Sequence, residues 1–471
     1  MIRHIKTIFI LFIISLLMTS CLPRSHWLLT NDEPTTTAGT TTSSVSPWSQ
    51  SISDVWAETF STTESGTATP AGSSTTPSPS GSTSTKSPTT NPTTKQATTT
   101  HQKPNTDKEF LGVWVSYIEL SGMLNGKTIA QAKKQIDQIM IDSKAYGLNA
   151  VIFHVRSHSN AYYKSAKFKA AAAVEPLIKA GFDPLEYAVQ AAHSRGLELH
   201  AWVNPYRIGE NLNYAVGKDY FKSGSSYYYN PASTTAQNLI IDGVGEIVKN
   251  YDVDGVQFDD YFYPNDPTAV PVDKAAAFEV AQYEKYKKDG GSLKIDGWRR
   301  LQVSKLISAV YSKVHTREGC VFGISPGADQ SKNYSKLYAD IELWMKQAKY
   351  IDYVCPQIYY GLLNKSSPFG NKLDEWMAIE RNSSVKLYIG LALNKIGIKK
   401  DVYAGSPAGI TEWADHDDIM KEQLLLVRSK SECGGVMFFS YRFFNPSAIT
   451  ENSDWIKAVG VREIENLLEV L

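Results

Sequence analysis

The feature that most constrains this chain is an alternation. From Phe110 onward, short apolar runs take turns with longer stretches of helical period. The runs are Leu111–Tyr117, Ala150–Arg156, Glu198–Asn204, Gly255–Asp260, Val321–Pro326, Tyr353–Tyr359, Leu387–Leu393 and Gly435–Tyr441. Between them Ile129–Tyr146, Pro184–Arg195, Trp298–Val314, Asp340–Lys349 and Thr411–Lys430 read as helices. Strands that alternate with helices run parallel, and eight of them close on themselves. The pattern therefore predicts an α/β fold, a (β/α)8 TIM barrel with insertions, over residues 107–471. Pro176 and Pro184, in the long connection after the second strand, fit a loop and a helix N-terminus respectively.

In such a barrel the chemistry gathers at the C-terminal ends of the strands, and the two-residue period of a strand says which side chains point inward. The first strand offers Trp114 and Ser116, the second His154 and Arg156, and the third His200, Trp202 and Asn204. The fourth offers Gln257 and Asp259, with Asp260 at the rim where Tyr261-Phe262-Tyr263-Pro264 begins. The sixth gives Tyr353, Cys355 and Gln357. Carboxylates, an arginine, amides and many aromatic rings suit a polyhydroxylated ligand. Rings stack on the apolar faces of sugars while polar side chains bond the hydroxyls.

Cleaving a glycosidic bond takes two carboxyl groups, one to protonate the leaving oxygen and one to act as nucleophile or base. Asp259 is the first candidate, as nucleophile or base, because phase and strand-end position both place it in the mouth. A lumen acid paired with Arg156 is the bland alternative. For the second group three choices stand open: Glu175 beside Pro176, Asp260, and Glu119 just past the first strand. Each also reads as a solvated loop acid, and adjacent Asp259 and Asp260 are expected to point apart. The mixture of His154, His158, His193 and His200 has neither HExxH nor dense ligand spacing, so bonded lumen histidines are expected and no metal. GxGxxG, GxxxxGK[ST] and GxSxG are all missing, which leaves a nucleotide cofactor and an α/β-hydrolase without support. No cofactor is expected. Lys+Arg 48 against Asp+Glu 48 gives a net charge of 48 − 48 = 0, which argues against nucleic-acid binding through a basic field. Cys21, Cys320, Cys355 and Cys433 show no CxxC spacing, so neither a zinc ribbon nor a disulfide scaffold is expected.

The N-terminus sets the compartment. Arg3 and Lys6 precede an apolar run from Ile8 to Met18, shorter than the about 20 residues a spanning helix needs. Residues 1–20 read as a secretory signal peptide. Leu17-Met18-Thr19-Ser20-Cys21 resembles a lipobox, which implies lipidation of Cys21, an extracytoplasmic location and a membrane anchor. Residues 21–106 follow as a tether, dominated from about Asn31 by Thr, Ser, Pro and Gly. That stretch has too little apolar surface to offset the entropy of ordering and is expected to be disordered.

The strand-end motifs together resemble one family. Gly112-Val113-Trp114-Val115, Asn149–Arg156, Asp183-Pro184-Leu185, Ala192–Arg207, Asp254–Pro264, Ile324-Ser325-Pro326 and Asp352–Tyr359 look like the glycosyl-hydrolase-like family 10 domain of YngK-type bacterial lipoproteins. The resemblance covers the body from about Phe110 to the C-terminal region. It implies a (β/α)8 domain in the cell envelope that hydrolyses a glycan, peptidoglycan strands being the favoured substrate. The chain departs from the family pattern beside the cleft, with Ser157 after Arg156 and Leu177-Ile178 after Glu175-Pro176. The leading expectation is an anchored glycoside hydrolase using Glu175 and Asp259. Its ligand contacts would come from Trp114, Arg156, His200, Trp202, Asn204, Tyr206, Arg207, Tyr261, Tyr263, Gln357 and Tyr359. A non-catalytic glycan-binding lipoprotein on the same barrel is the alternative. A lyase or transglycosylase is the third reading, separable by its products.

Overall fold

The computed structural model of the chain describes residues 108–446 and 454–471. The expected signal peptide (1–20), the lipidation at Cys21 and nearly all of the tether (21–106) lie outside them. Eight parallel strands close into a barrel in chain order: β1 (Phe110–Val115), β2 (Ala150–Arg156), β3 (Glu198–Val203), β4 (Gly255–Phe258), β5 (Val321–Ile324), β6 (Tyr353–Val354), β7 (Lys386–Leu391) and β8 (Cys433–Phe439). β8 pairs with β1 from Phe110↔Gly435 to Trp114↔Phe439 and so completes the ring.

The helices around the barrel carry the caps their sequences announce. α1 (Tyr117–Leu124) and α2 (Ile129–Ala145) both start in capping boxes, Ser116 with Glu119 and Thr128 with Gln131, which satisfy end N–H groups that have no partner within the helix. The second connection contains α3 (Glu175–Lys179) and α4 (Pro184–His193), the latter with Asp183 as N-cap and Pro184 at the first helical position. α5 (Thr234–Asn250) follows β3, while α6 (Val280–Lys288) and α7 (Ile295–Val314) follow β4. Beyond β5 come α8 (Gln330–Ser335), α9 (Ile341–Lys346), α10 (Phe369–Met377), α11 (Pro407–Asp415), α12 (Ile419–Arg428) and α13 (Asp454–Leu468). The single helix expected over Thr411–Lys430 is two, because His416 is extended (φ −120°, ψ 153°) and ends α11.

Inside the barrel the two-residue period holds along the strands except at two register shifts, one at His154/Arg156 on β2, which takes Arg156 out of the inward phase expected of it, and one at Leu387/Tyr388 between β7 and β8. Outward residues such as Val113, Val151, Phe153, Leu199, Ala201, Val256 and Phe258 are buried under the helices. Inward, Phe110, Trp114, Ile152, Trp202, Tyr353, Cys355 and Met437 form one packed cluster. The lumen is filled, and glycine makes the filling possible. A Cβ on Gly255 would lie 2.5 Å from Nδ1 of His200, and one on Gly323 would lie 2.0 Å from the Tyr353 ring. These glycines let large rings cross the barrel axis. Gln257 ties the middle of the lumen together. Its Oε1 accepts from Nε1 of Trp114 at 2.6 Å, and its Nε2 donates to Oη of Tyr353 at 3.2 Å.

Two excursions rise beyond the strand ends. After β3 the chain forms a three-stranded antiparallel sheet from Arg207–Gly209, Tyr220–Ser223 and Ser226–Tyr229. After β4, residues 259–279 make a long loop before α6.

Candidate active site

The mouth is built from the residues that continue these strands. At the end of β4, Asp259 is 3 % exposed. Its Oδ2 accepts from Nε1 of Trp202 at 3.0 Å, and its Oδ1 accepts from the backbone N–H of Tyr261 at 3.1 Å. Burial pushes its pKa well above the usual carboxylate range, and the neighbouring charge of Asp260 pushes the same way. Asp260 is half-buried, and its Oδ1 accepts from Nε2 of Gln357 at 3.4 Å. Burial raises its pKa too. The two acids bond different neighbours, Trp202 and Gln357, and both are harder to ionise than an isolated carboxyl group.

The walls orient this pair. His154 stacks on Trp202 with ring centroids 3.6 Å apart and planes at 12°. Its Nδ1 accepts from the N–H of Tyr117 at 3.3 Å, so Nε2 carries the hydrogen and donates to Oδ1 of Asn204 at 3.1 Å. Burial and the neighbouring His158 and Arg207 hold His154 well below its ordinary pKa, so it stays neutral. One face of Trp202 is thus covered, its N–H is committed to Asp259, and the tryptophan positions the acid. Tyr359 lies across from this wall, stacked on Phe439 at 5.8 Å. Both aspartates push up its hydroxyl pKa, although burial contributes more. On the open side Arg207 lies over the ring of Tyr261, 5.2 Å from its centroid, and Tyr261 is 41 % exposed.

The mouth therefore brings together Asp259, Asp260, Trp202, Asn204, Arg207, Tyr261, Gln357 and Tyr359 from the residues the sequence proposed. Others stand elsewhere. Glu175 begins α3, is exposed and pairs with Lys179 at 2.8 Å, an ordinary contact between residues four apart. Glu119 is buried with both oxygens occupied. Oε2 takes the N–H of Ser116 at 2.6 Å, and Oε1 takes the hydroxyl of Ser440 at 3.0 Å and the N–H of Arg442 at 2.8 Å. It pins the chain after β8 to the chain after β1. His200 faces the lumen, yet at its lower end, bonded to Tyr353 at 3.0 Å and Glu198 at 3.2 Å. Trp114 is floor, its N–H spent on Gln257. Tyr206 is fully buried. Tyr263 is buried with its hydroxyl donated to Glu279 at 3.0 Å. Arg156 is buried over the ring of Phe168 at 4.6 Å and donates to the carbonyl of Pro205 at 3.3 Å.

Phe439 and His154 belong to the mouth although they were not among the proposed contacts. Phe439 could have been found, since it follows Gly435 and Met437 in the inward phase of β8. Among the described residues no group of three or more His, Cys, Asp or Glu side chains could hold a metal ion.

The fold is a parallel (β/α)8 barrel with the adjacent acids Asp259 and Asp260 just beyond its fourth strand, walled by aromatic rings and amides. The chain belongs to the glycosyl hydrolase-like 10 family, whose model matches residues 109–404. Glycosyl hydrolase YngK of Bacillus subtilis (strain 168) is 31 % identical over 388 residues, covering 73 % of this chain and 70 % of that one. Glycosyl hydrolase DigH of Escherichia coli (strain K12) is 28 % identical over 385 residues, covering 71 % and 83 %. Among solved structures, the glycoside hydrolase domain of PgaB (BpsB) from Bordetella bronchiseptica aligns with a TM-score of 0.46 and 12 % identity over 77 % of this chain and 98 % of that one.

Proposed function

We propose that this protein hydrolyses O-glycosidic bonds in a glycan of the cell envelope, with peptidoglycan strands as the favoured substrate and the anchor at Cys21 as its means of retention. The observation that carries the reading is the acid pair. Asp259, the deeper acid, is pushed well above the usual carboxylate range by burial and suits protonation of the leaving oxygen. Asp260, half-buried beside Gln357, suits the carboxylate that stabilises the sugar cation or activates water. This pairing replaces Glu175 with Asp260, because Glu175 is held on the surface by Lys179. In the net reaction water adds across the bond, its hydroxyl going to the anomeric carbon and a proton to the released oxygen.

The test is to incubate the secreted chain with purified glycan strands, peptide-bearing and peptide-free, and to read soluble products by mass spectrometry. Saturated oligosaccharides that vanish in both Asp259→Asn and Asp260→Asn, but persist in Glu175→Gln, support the reading. Saturable binding without products would make the protein a glycan-binding one. Unsaturated or anhydro ends would indicate a lyase or transglycosylase.

A further inference from the structure

Arg207 holds a guanidinium that lies over the Tyr261 ring and whose charge acts on Asp259, yet no hydrogen-bond partner among the described residues takes its donors. It begins the first strand of the sheet that rises after β3, is half-buried, and its side chain makes no hydrogen bond or ion pair with any described residue. Its Nε is buried without a partner. A guanidinium has five donors in a fixed fork, and a buried one such as this Nε–H left unpaired is costly unless a ligand completes it.

The rings around Arg207 form a continuous shelf. Tyr261, the exposed residue next to Asp260, lies under the guanidinium at 5.2 Å. Tyr228 is the antiparallel partner of Arg207, so the two side chains share one face of the sheet. Tyr228 is also paired in register with Phe221, on the same face at 6.0 Å. The shelf thus runs outward from the acid pair in the order Asp260, Tyr261, Arg207, Tyr228.

It is also pre-built. Phe221 stacks on Phe278 at 3.7 Å with planes at 7°, and the hydroxyl of Ser223 donates to Oδ2 of Asp266 at 2.8 Å. These two ties fasten the excursion after β3 to the loop after β4, so the two sides of the shelf are held together before any ligand arrives.

We infer that Tyr261, Arg207 and Tyr228 form a distal subsite for a sugar ring one or more units away from the cleaved bond. The sugar's apolar face rests on the tyrosine rings. Its acceptor oxygens, whether hydroxyl, acetamido or carboxylate, take the free donors of Arg207. The inference rests on the proposed function and adds to it that the protein grips a chain and favours long glycans over short ones.

The test compares glycan strands of graded length, in neutral and carboxylate-bearing forms, with wild type, Tyr228→Leu, Tyr228→Phe and Arg207→Gln. kcat/KM is measured on active chain, and affinity by calorimetry in an Asp259→Asn background, where nothing is turned over. The ratio of kcat/KM for long over short strands is expected to fall about five- to tenfold in Tyr228→Leu and Arg207→Gln, and to recover in Tyr228→Phe, which keeps the flat ring. Affinity for long strands is expected to fall by a similar factor. Tyr228→Leu keeps the bulk that Phe221 packs against. Arg207→Gln removes a charge that also acts on Asp259, which is why the readout is the ratio of long to short strands rather than the rate itself, and two different variants probe one shelf. A loss in Arg207→Gln confined to carboxylate-bearing strands would assign the guanidinium to an acidic substituent. A loss on both forms would assign it to hydroxyl or acetamido oxygens. Length ratios and affinities unchanged in both variants, with wild type active, would overturn the subsite and leave the function standing. Wild type that neither binds nor cleaves any strand would overturn both.

Discussion

Asp259 carries its site chemistry and a cost to the fold in the same group. Its folded-state pKa lies above the unfolded value because burial disfavours the anion. The folded protein then holds the proton more tightly than the unfolded chain does. Stability is fullest below the unfolded pKa and declines as pH rises through the raised folded value, by about 1.4 kcal/mol for each unit of displacement. Asp259→Asn removes that burden. Urea denaturation from pH 4 to pH 8 is expected to show wild type losing more stability with rising pH than the variant, while hydrolysis by the variant falls at least about 100-fold. Equal slopes would mean that Asp259 ionises freely. Activity of wild type is expected to fade on the alkaline side as the donor loses its proton. The inward phase of Asp259, Asn204 and Gln357 was legible because alternation is a property of the strand itself. Depth was not, since His200 and Trp202 share one phase but only Trp202 reaches the acid. Farther past the strand ends, where no bonding to a neighbouring barrel strand continues, the period no longer applies, and Tyr206 and Tyr263 turned inward to bury rings that sequence placed at the surface of the site.

Between residue and barrel, the loop after β4 depends on one buried clasp. Arg299 on α7 donates to Glu279 through Nε at 2.9 Å, to the carbonyl of Pro271 at 2.7 Å, to Oη of Tyr338 at 2.8 Å and to the carbonyl of Lys274 at 3.1 Å. Tyr263 and Tyr338 flank the guanidinium at 5.8 and 4.9 Å. Glu279 in turn accepts from Oη of Tyr263 at 3.0 Å and the N–H of Ala276 at 3.1 Å. The clasp therefore gathers the loop that starts with Asp259, Asp260 and Tyr261. Both ionic partners are fully buried, so removing one strands the other. Arg299→Met is expected to cost about 3–5 kcal/mol, and Arg299→Met with Glu279→Leu to recover part of it. A single variant within about 1 kcal/mol of wild type in chemical denaturation would show that the loop holds by other means. The strands and their order were legible because eight runs of fixed period admit few topologies. The clasp was not, since Glu279 and Arg299 lie twenty residues apart on different elements and carry no spacing signal. Nor was the break in the helix expected over Thr411–Lys430. There Asp417 turns outward to a tertiary partner, its carbonyl accepting from Nδ2 of Asn466 on α13 at 2.7 Å.

At the scale of the whole molecule, what matters is which end of the barrel meets the tether. The chain enters the described structure at Lys108 and runs straight into β1 from its N-terminal end. The acids sit beyond the C-terminal ends of the strands, so the described chain begins on the face opposite the mouth, where the proposed tether would join it. An anchor attached there leaves the mouth free to face away from the membrane. Residues 21–106 number 106 − 21 + 1 = 86, and on the proposed reading of them as a tether a random coil of that length would have a root-mean-square span of about 50 Å. That reach would let a lipid-held barrel work on a glycan layer it does not touch at the bilayer. The proposal separates retention from chemistry. If, as proposed, the anchor is a lipid on that thiol, Cys21→Ala is expected to move the protein from the membrane pellet to the soluble fraction of a cell lysate. The purified variant is expected to cleave soluble strands at the wild-type rate, since Cys21 belongs to none of the elements that build the mouth. Hydrolysis of intact envelope in cells is expected to fall as the protein diffuses away. A Cys21→Ala protein that still sediments with membranes would sink the lipid anchor and leave the acid pair, which is tested elsewhere, untouched.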